Sequence, residues 1–316
     1  MKKICFIPDY SKSTGRGHLG RCINLAYTFK QNKWDVFFYF EKRHDINKST
    51  CKFKIIKTIK EKYFNLIFVD SYFLNNKKII FYKKISEKIC VIDDFGVIKY
   101  KTDFYLNYSS NNPKNPKKIK NIKKLLGFKY LIQSPLNKNP KIRKIFNFNK
   151  EIPIAIFFSS TCKSNLLFKV LKILSLSKFY EFMKIELLLT SEMNFSKKTL
   201  MKLKNHKKIK LTIDKKDLYK TYQYSYFFIG SYGYSLLERI GFSAISVCNL
   251  FIKNQKQNYN FLKNKGIVIN IESISKLNKV IDDLIKNPKK INRIQKNKIL
   301  KITYKGNQNI FNDLIK

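Results

Sequence analysis

Apolar residues along this chain come in short unbroken runs, and between those runs they recur at helical spacing. Residues 3–7 (KICFI) read as a strand and residues 9–17 as a polar loop. From 18 to 32, Leu19, Cys22, Ile23, Ala26 and Phe29 repeat at i, i+3, i+4 and i+7-type spacings, which predicts an amphipathic helix. Further strands are predicted at 36–40, 66–69 and 89–92, the last two each followed by an aspartate, Asp70 and Asp93. Strands that are apolar throughout and alternate with helices belong to a parallel sheet covered on both faces. Residues 111–124, rich in Pro, Asn and Lys, read as a surface loop.

The second half restarts the pattern, with strands predicted at 152–158, 184–189, 208–213, 226–229, 244–248 and 267–271. The boundary is expected within 138–150, a basic stretch containing Asn and Pro. The predicted class is therefore α/β, with two Rossmann-like domains of parallel sheet, residues 1–147 and 148–316. Such a pair is expected to take a ligand in the interdomain cleft, at the carboxyl ends of both sheets. Residues 288–316 read as helices that pack back across the hinge onto the first domain.

Composition narrows the function classes. The chain has 316 residues, 44% of them hydrophobic, with 27 Phe and 19 Tyr, which is ample for two cores. Its apolar runs are strand-length, so no membrane span is expected. The basic start is followed by too short an apolar run for a signal peptide, and the expected address is the cytoplasm. The six cysteines form no Cys-x-x-Cys pair and read as buried reduced thiols, with neither a disulfide frame nor a metal site expected. A net charge of +44 suggests nucleic acid at first sight. Only six of the 65 basic residues are Arg, however, and the Lys residues run from end to end together with Asn, Ile, Phe and Tyr. An AT-rich coding sequence explains that set, so no nucleic-acid partner is expected.

Two loops carry candidate chemistry. Gly15-Arg16-Gly17-His18-Leu19-Gly20 has the literal form G-x-G-x-x-G, with Glu41 after the next strand. A long loop separates it from the first strand, which sets it apart from the dinucleotide fingerprint. It places His18 where a helix begins, and a helix N-terminus binds anions and favours a neutral imidazole able to accept a proton. A glycine turn with an incidental capping histidine is the plainer alternative. The second loop, Gly230-Ser231-Tyr232-Gly233-Tyr234-Ser235, followed by Glu238, has the small residues and hydroxyls that suit a diphosphate, with a carboxylate placed for two ribose hydroxyls. Lys253-Asn254-Gln255 follows the next strand. Solvated turns are the plainer reading of each.

Taken together, these motifs resemble a known family. Asp9…Gly15-x-Gly17-His18-x-x-Arg21…Leu25-Ala26, Asp70-x-Tyr72, Val91-Ile92-Asp93-Asp94, Gly127-Phe128-x-Tyr130-x-Ile132, Gly233…Glu238…Gly241 and Lys253-Asn254-Gln255 are similar, in order, to the UDP-sugar hydrolases of pseudaminic acid biosynthesis. Those enzymes are relatives of the spore-coat polysaccharide proteins and of GT-B glycosyltransferases. The resemblance implies a GT-B architecture and hydrolysis of a UDP-2,4-diacetamido-2,4,6-trideoxy sugar to UDP and free sugar, with no metal and no cofactor. By position it implies His18 as general base, with Tyr72 and Asn254 beside the sugar. Asp9, Gly15, Gly17, Arg21, Asp94, Ser159, Ser160, Gly230, Ser231, Gly233, Ser235, Glu238 and Gln255 would bind substrate. A nucleotide-sugar glycosyltransferase is the alternative. A UDP-sugar-binding relative without catalysis is a third reading, raised by Ser159-Ser160-Thr161-Cys162 standing where the family carries Gly-Gly-x-Asp.

Overall fold

The computed structural model describes residues 1–10, 17–41, 51–60, 62–94, 101–108, 121–135, 146, 148, 150–158, 162–191, 193, 195–215, 218–250, 255–301 and 305–316. The chain forms two units, Met1–Asn137 together with Thr303–Lys316, and Lys138–Ile302.

In the first unit the sheet is built from β1 (Lys3–Pro8), β2 (Asp35–Phe38), β3 (Lys54–Ile55), β4 (Phe64–Asp70), β5 (Ser86–Ile92), β6 (Phe104–Asn107) and β7 (Lys123–Leu126). The strand order is β3-β2-β1-β4-β5-β6-β7, and every neighbouring pair is parallel. Alternation along β1 sends Phe6 to one face and Cys5 and Ile7 to the other. Phe6 meets Phe38 and Phe68 of the adjacent strands at 5.3 Å, and Phe29 of helix α1 (Gly17–Gln31) at 6.0 Å. Cys5 and Ile7 join a second cluster with Ile67, Val69, Ile89 and the α2 (Asn76–Lys84) residues Ile79 and Tyr82. Both faces are buried, which is why these strands read as unbroken apolar runs. Each fully buried Ile or Phe stabilises the fold by about 1.5–3 kcal/mol.

The second unit repeats the plan with β8 (Ile152–Phe157), β9 (Met183–Leu189), β10 (Ile209–Ile213), β11 (Phe227–Ser231), β12 (Ile245–Asn249) and β13 (Ile269–Asn270). Its order, β10-β9-β8-β11-β12-β13, is again parallel throughout. Ile152, Ile154 and Ile156 pack against Val170 and Leu174 of α3 (Ser164–Leu174) and against Ile281 and Leu284 of α8 (Leu277–Lys286). On the other face Ala155 and Phe228 meet Tyr222 of α5 (Tyr219–Tyr224) and Phe242.

The last helix of the chain, α10 (Gly306–Ile315), belongs to the first unit. The Asn307 side chain accepts from Gln133 N at 2.9 Å and donates to Gln133 O at 2.9 Å and Asn24 O at 3.2 Å. Its neighbour Gly306 lies so close to Leu131 that a Cβ would stand 2.0 Å from the Leu131 carbonyl oxygen, so only glycine fits. Phe311 closes the contact with its ring 5.0 Å from Phe29.

Sequence pattern and structure differ at β3, β6 and β7, which the pattern does not predict. β3 is two residues long, β6 is four, and β7 (KKLL) opens with two exposed lysines inside the stretch read as loop. Strands of two to four residues are too short for a pattern to register, and β3 and β7 are edge strands besides. All six cysteines are unpaired, five buried and Cys162 partly so. Among the described residues no helix is long and apolar enough to cross a membrane.

Candidate active site

His18 and Arg21 stand one turn apart on α1, so their side chains share the face turned to the sheet. Asp70 ends β4, the strand beside β1, and Asp94 and Tyr108 follow β5 and β6. Adjacent carboxyl ends of a parallel sheet thus deliver all five residues to one place. Asp70 Oδ1 lies 2.6 Å from His18 Nδ1 and 2.5 Å from Arg21 Nη2, while Asp70 Oδ2 accepts from Arg21 Nε. Arg21 also grips Asp94 bidentately, Nη1 to Oδ1 at 2.7 Å and Nη2 to Oδ2 at 2.9 Å, and gives its remaining Nη1 proton to Tyr108 Oη at 3.1 Å. All five guanidinium N–H donors are spent.

Burial alone would raise the Asp70 carboxyl, but Arg21 and His18 more than offset it and hold it down to about 2. Asp70 is therefore a carboxylate that can only accept, and the proton on the 2.6 Å bond belongs to His18 Nδ1. Arg21 Nη2 is 3.2 Å from the same nitrogen, a contact between two donors converging on one oxygen rather than a bond. This fixes the tautomer: in the neutral ring the lone pair is on Nε2, which no described residue engages. Two carboxylates face one guanidinium, so the cluster carries one excess negative charge. A proton taken up by His18 brings the sum to zero, which is how an aspartate supports a catalytic imidazole. The Tyr72 ring meets the His18 ring edge-on at 4.4 Å and its hydroxyl donates to Asp94 Oδ2 at 2.9 Å. Burial and Asp94 push the Tyr72 phenol upward, so it stays a neutral donor. Asp9 Oδ2 accepts from Tyr72 N at 2.6 Å, tying the loop after β1 to the turn after β4.

In the second unit the loop after β11 is clamped from below. Ser231 is buried and donates to the Phe158 carbonyl, and Tyr232 O accepts from Asn258 Nδ2 at 3.0 Å. At Gly230 a Cβ would stand 2.3 Å from the Phe157 carbonyl oxygen. Helix α6 (Tyr234–Arg239) follows, with Ser235 and Glu238 partly exposed and Arg239 fully buried. The Glu238 carboxylate lies 3.5 Å from Tyr222 Oη, and Gln255 packs over Gly233. A concavity of about 690 Å³ in this unit lies elsewhere, at the amino ends of the strands beside Pro153, Met183 and Ile209. Ligands of parallel α/β sheets bind at the other end.

His18, Tyr72, Asp9, Gly17, Arg21 and Asp94 are thus gathered in the first unit, and Gly230, Ser231, Gly233, Ser235, Glu238 and Gln255 in the second. Gly15, Ser159, Ser160 and Asn254 lie outside the described residues. Two expected substrate contacts are turned inward. Arg21 has no donor left for a ligand, and the Ser231 hydroxyl is spent on a backbone carbonyl, so each holds the site rather than the substrate. Glu41, which follows the strand after the Gly15–Gly20 motif, accepts from Tyr82 Oη at 2.5 Å and from Lys78. Asp70, Tyr108 and Arg239 are the residues that sequence reasoning left without a role. Asp70 had a signal, its place at a strand end two residues before Tyr72; the other two had none.

No protein-family model matches this chain, and no curated protein does. Solved structures do. MurG of Acinetobacter baumannii is 11% identical with a TM-score of 0.66, covering 99% of both chains. The S. aureus MnaA–UDP complex is 12% identical with a TM-score of 0.62, covering 99% of this chain and 96% of that one. A UDP-glucosyltransferase from Polygonum tinctorium capable of glucosylating indoxyl is 9% identical with a TM-score of 0.66, covering 100% and 99%. The fold is GT-B. Two parallel-sheet units and full-length coverage agree on this, and at these identities GT-B describes the path of the chain alone.

Proposed function

We propose that this protein acts on a UDP-sugar, with His18 deprotonating the oxygen nucleophile that displaces UDP from the anomeric carbon. The single observation behind this reading is the His18–Asp70 pair, which leaves Nε2 as the proton acceptor. UDP is a good leaving group once donors and dipoles meet its charge, so one base suffices and a second carboxylate acid is not required. In this reading the backbone of residues 230–235 with the Ser235, Glu238 and Gln255 side chains holds the nucleotide, and Tyr72 is the residue that meets the sugar. The UDP-bound MnaA and the P. tinctorium glucosyltransferase support the choice of nucleotide, and the latter favours glycosyl transfer to an acceptor hydroxyl. Water as the nucleophile is a second reading. It is favoured by the Gly17-His18-x-x-Arg21 and Lys253-Asn254-Gln255 motifs and their likeness to the pseudaminic-pathway hydrolases.

The deciding experiment incubates purified protein with UDP-sugars and follows UDP and free sugar by NMR. UDP released only when an acceptor is supplied supports transfer. UDP and free sugar appearing together without one support hydrolysis, with inversion at the anomeric carbon because a single His-activated water attacks directly. If neither UDP binding nor UDP release is detected in any arm, the nucleotide-sugar reading is wrong.

A further inference from the structure

Beneath the loop after β11 lies a cation that the proposed chemistry has not used. Arg239 is 0% exposed, with its guanidinium carbon 4.1 Å from the centre of the Phe228 ring. Nη1 donates to Ser235 Oγ at 3.2 Å and Nη2 to Cys248 Sγ at 3.5 Å, while Nε has no partner. A second buried basic side chain, Lys298 of α9 (Pro288–Lys301), donates to the Phe242 and Ala244 carbonyls. Among the described residues neither forms an ion pair with a carboxylate, an expensive state for the buried guanidinium. The guanidinium sits at the end of β11, where the loop begins, since a Cβ on Gly230 would stand 3.1 Å from Nη2.

The loop itself has donors to spare. Among the described residues the Ser235 hydroxyl accepts from Arg239 and donates to nothing. Gln255 is 9% exposed, and its Nε2, 3.1 Å from where a Gly233 Cβ would be, donates to no described residue, while its unpartnered Oε1 can only accept. A hydroxyl that accepts from a guanidinium has its own proton left to give, and is a stronger donor for it. Buried positive charge below, an uncommitted hydroxyl proton and an uncommitted amide above together make a seat for an anion.

We propose that Arg239 is a positioning residue for the nucleotide's phosphates, holding Ser235 so that its hydroxyl proton points to a phosphate oxygen seated against residues 230–235. This deepens the nucleotide reading above and rests on it. The test is calorimetric titration of UDP and of uridine into the wild type, Ser235→Ala, Arg239→Met and the double variant. Ser235→Ala should weaken UDP about tenfold or more and leave uridine unchanged. Arg239→Met, checked for folding by its melting curve, should lose a similar factor for UDP alone. The double variant should lose little beyond either single change, because both remove the same donor. Unchanged UDP affinity in Ser235→Ala overturns the proposal whatever becomes of Arg239→Met. So does a uridine loss equal to the UDP loss, which would mark a merely structural role. A wild type that binds no UDP brings down the nucleotide reading itself, and this inference with it.

Discussion

One oxygen of Asp70 holds both His18 Nδ1, at 2.6 Å, and Arg21 Nη2, at 2.5 Å. The proton acceptor and the cation that keeps its partner ionised are therefore fixed by the same atom. An amide at position 70 could turn an N–H toward Nδ1, which would move the ring proton to Nε2 and silence the base. Asp70→Asn should therefore lower turnover by about 10²–10⁴ with UDP affinity little changed, approaching the loss in His18→Asn. Rates of UDP release beside calorimetric UDP affinities check this. A fully active His18→Asn protein would remove His18 from the mechanism.

Arg21 is the one cation between two carboxylates, buried Asp70 and partly buried Asp94, and removing it leaves them facing each other. Arg21→Met should cost about 3–5 kcal/mol of stability, read from denaturant midpoints. The pH dependence has a definite sign. Asp70 is held at about 2 in the folded protein against an ordinary value of 3.8, so its contribution is present above pH 4 and is lost as pH falls toward 2. That contribution is roughly 2 kcal/mol, and its acid slope should shrink in Arg21→Met.

Lys298 works in the opposite direction. Burial first, then Arg239, pushes its ammonium down to about 7. Unfolded Lys298 binds a proton throughout neutral pH, so stability should rise with pH from 7 toward the ordinary lysine range. The buried thiols, raised by burial, oppose this once unfolded cysteines ionise above about pH 8.5. Melting curves between pH 7 and 8.5 should therefore show the lysine slope, and Lys298→Met should flatten it.

Gly230 tests the floor of the second loop. Its missing Cβ faces the Phe157 carbonyl at 2.3 Å, and backbone cannot move aside as a flexible side chain can. Gly230→Ala should destabilise the protein by about 1–3 kcal/mol and weaken UDP binding as the loop shifts. Equal melting temperatures for variant and wild type would show that the loop has room.

How much of this was legible in the sequence follows from what each residue is for. The central strands show in the pattern because both faces of each are buried, as Phe6 on one side and Cys5 and Ile7 on the other require. The edge strands β3 and β7 do not, since Lys54, Ile55, Lys123 and Lys124 are exposed and pack on little. His18 was visible from its glycine-flanked place at a helix start. That Arg21 faces inward was not, because a sequence says nothing about which of five donors a neighbouring strand will claim. Arg239 was hidden for the same reason, its partners Ser235, Cys248 and Phe228 coming together only in the fold.

The first unit is not contiguous. Its helix α10 supplies Asn307 to the Gln133 backbone and Phe311 to Phe29, yet it is translated after every residue of the second unit. The sheet that carries His18 therefore waits for its closing helix until the whole of the second unit has been synthesised.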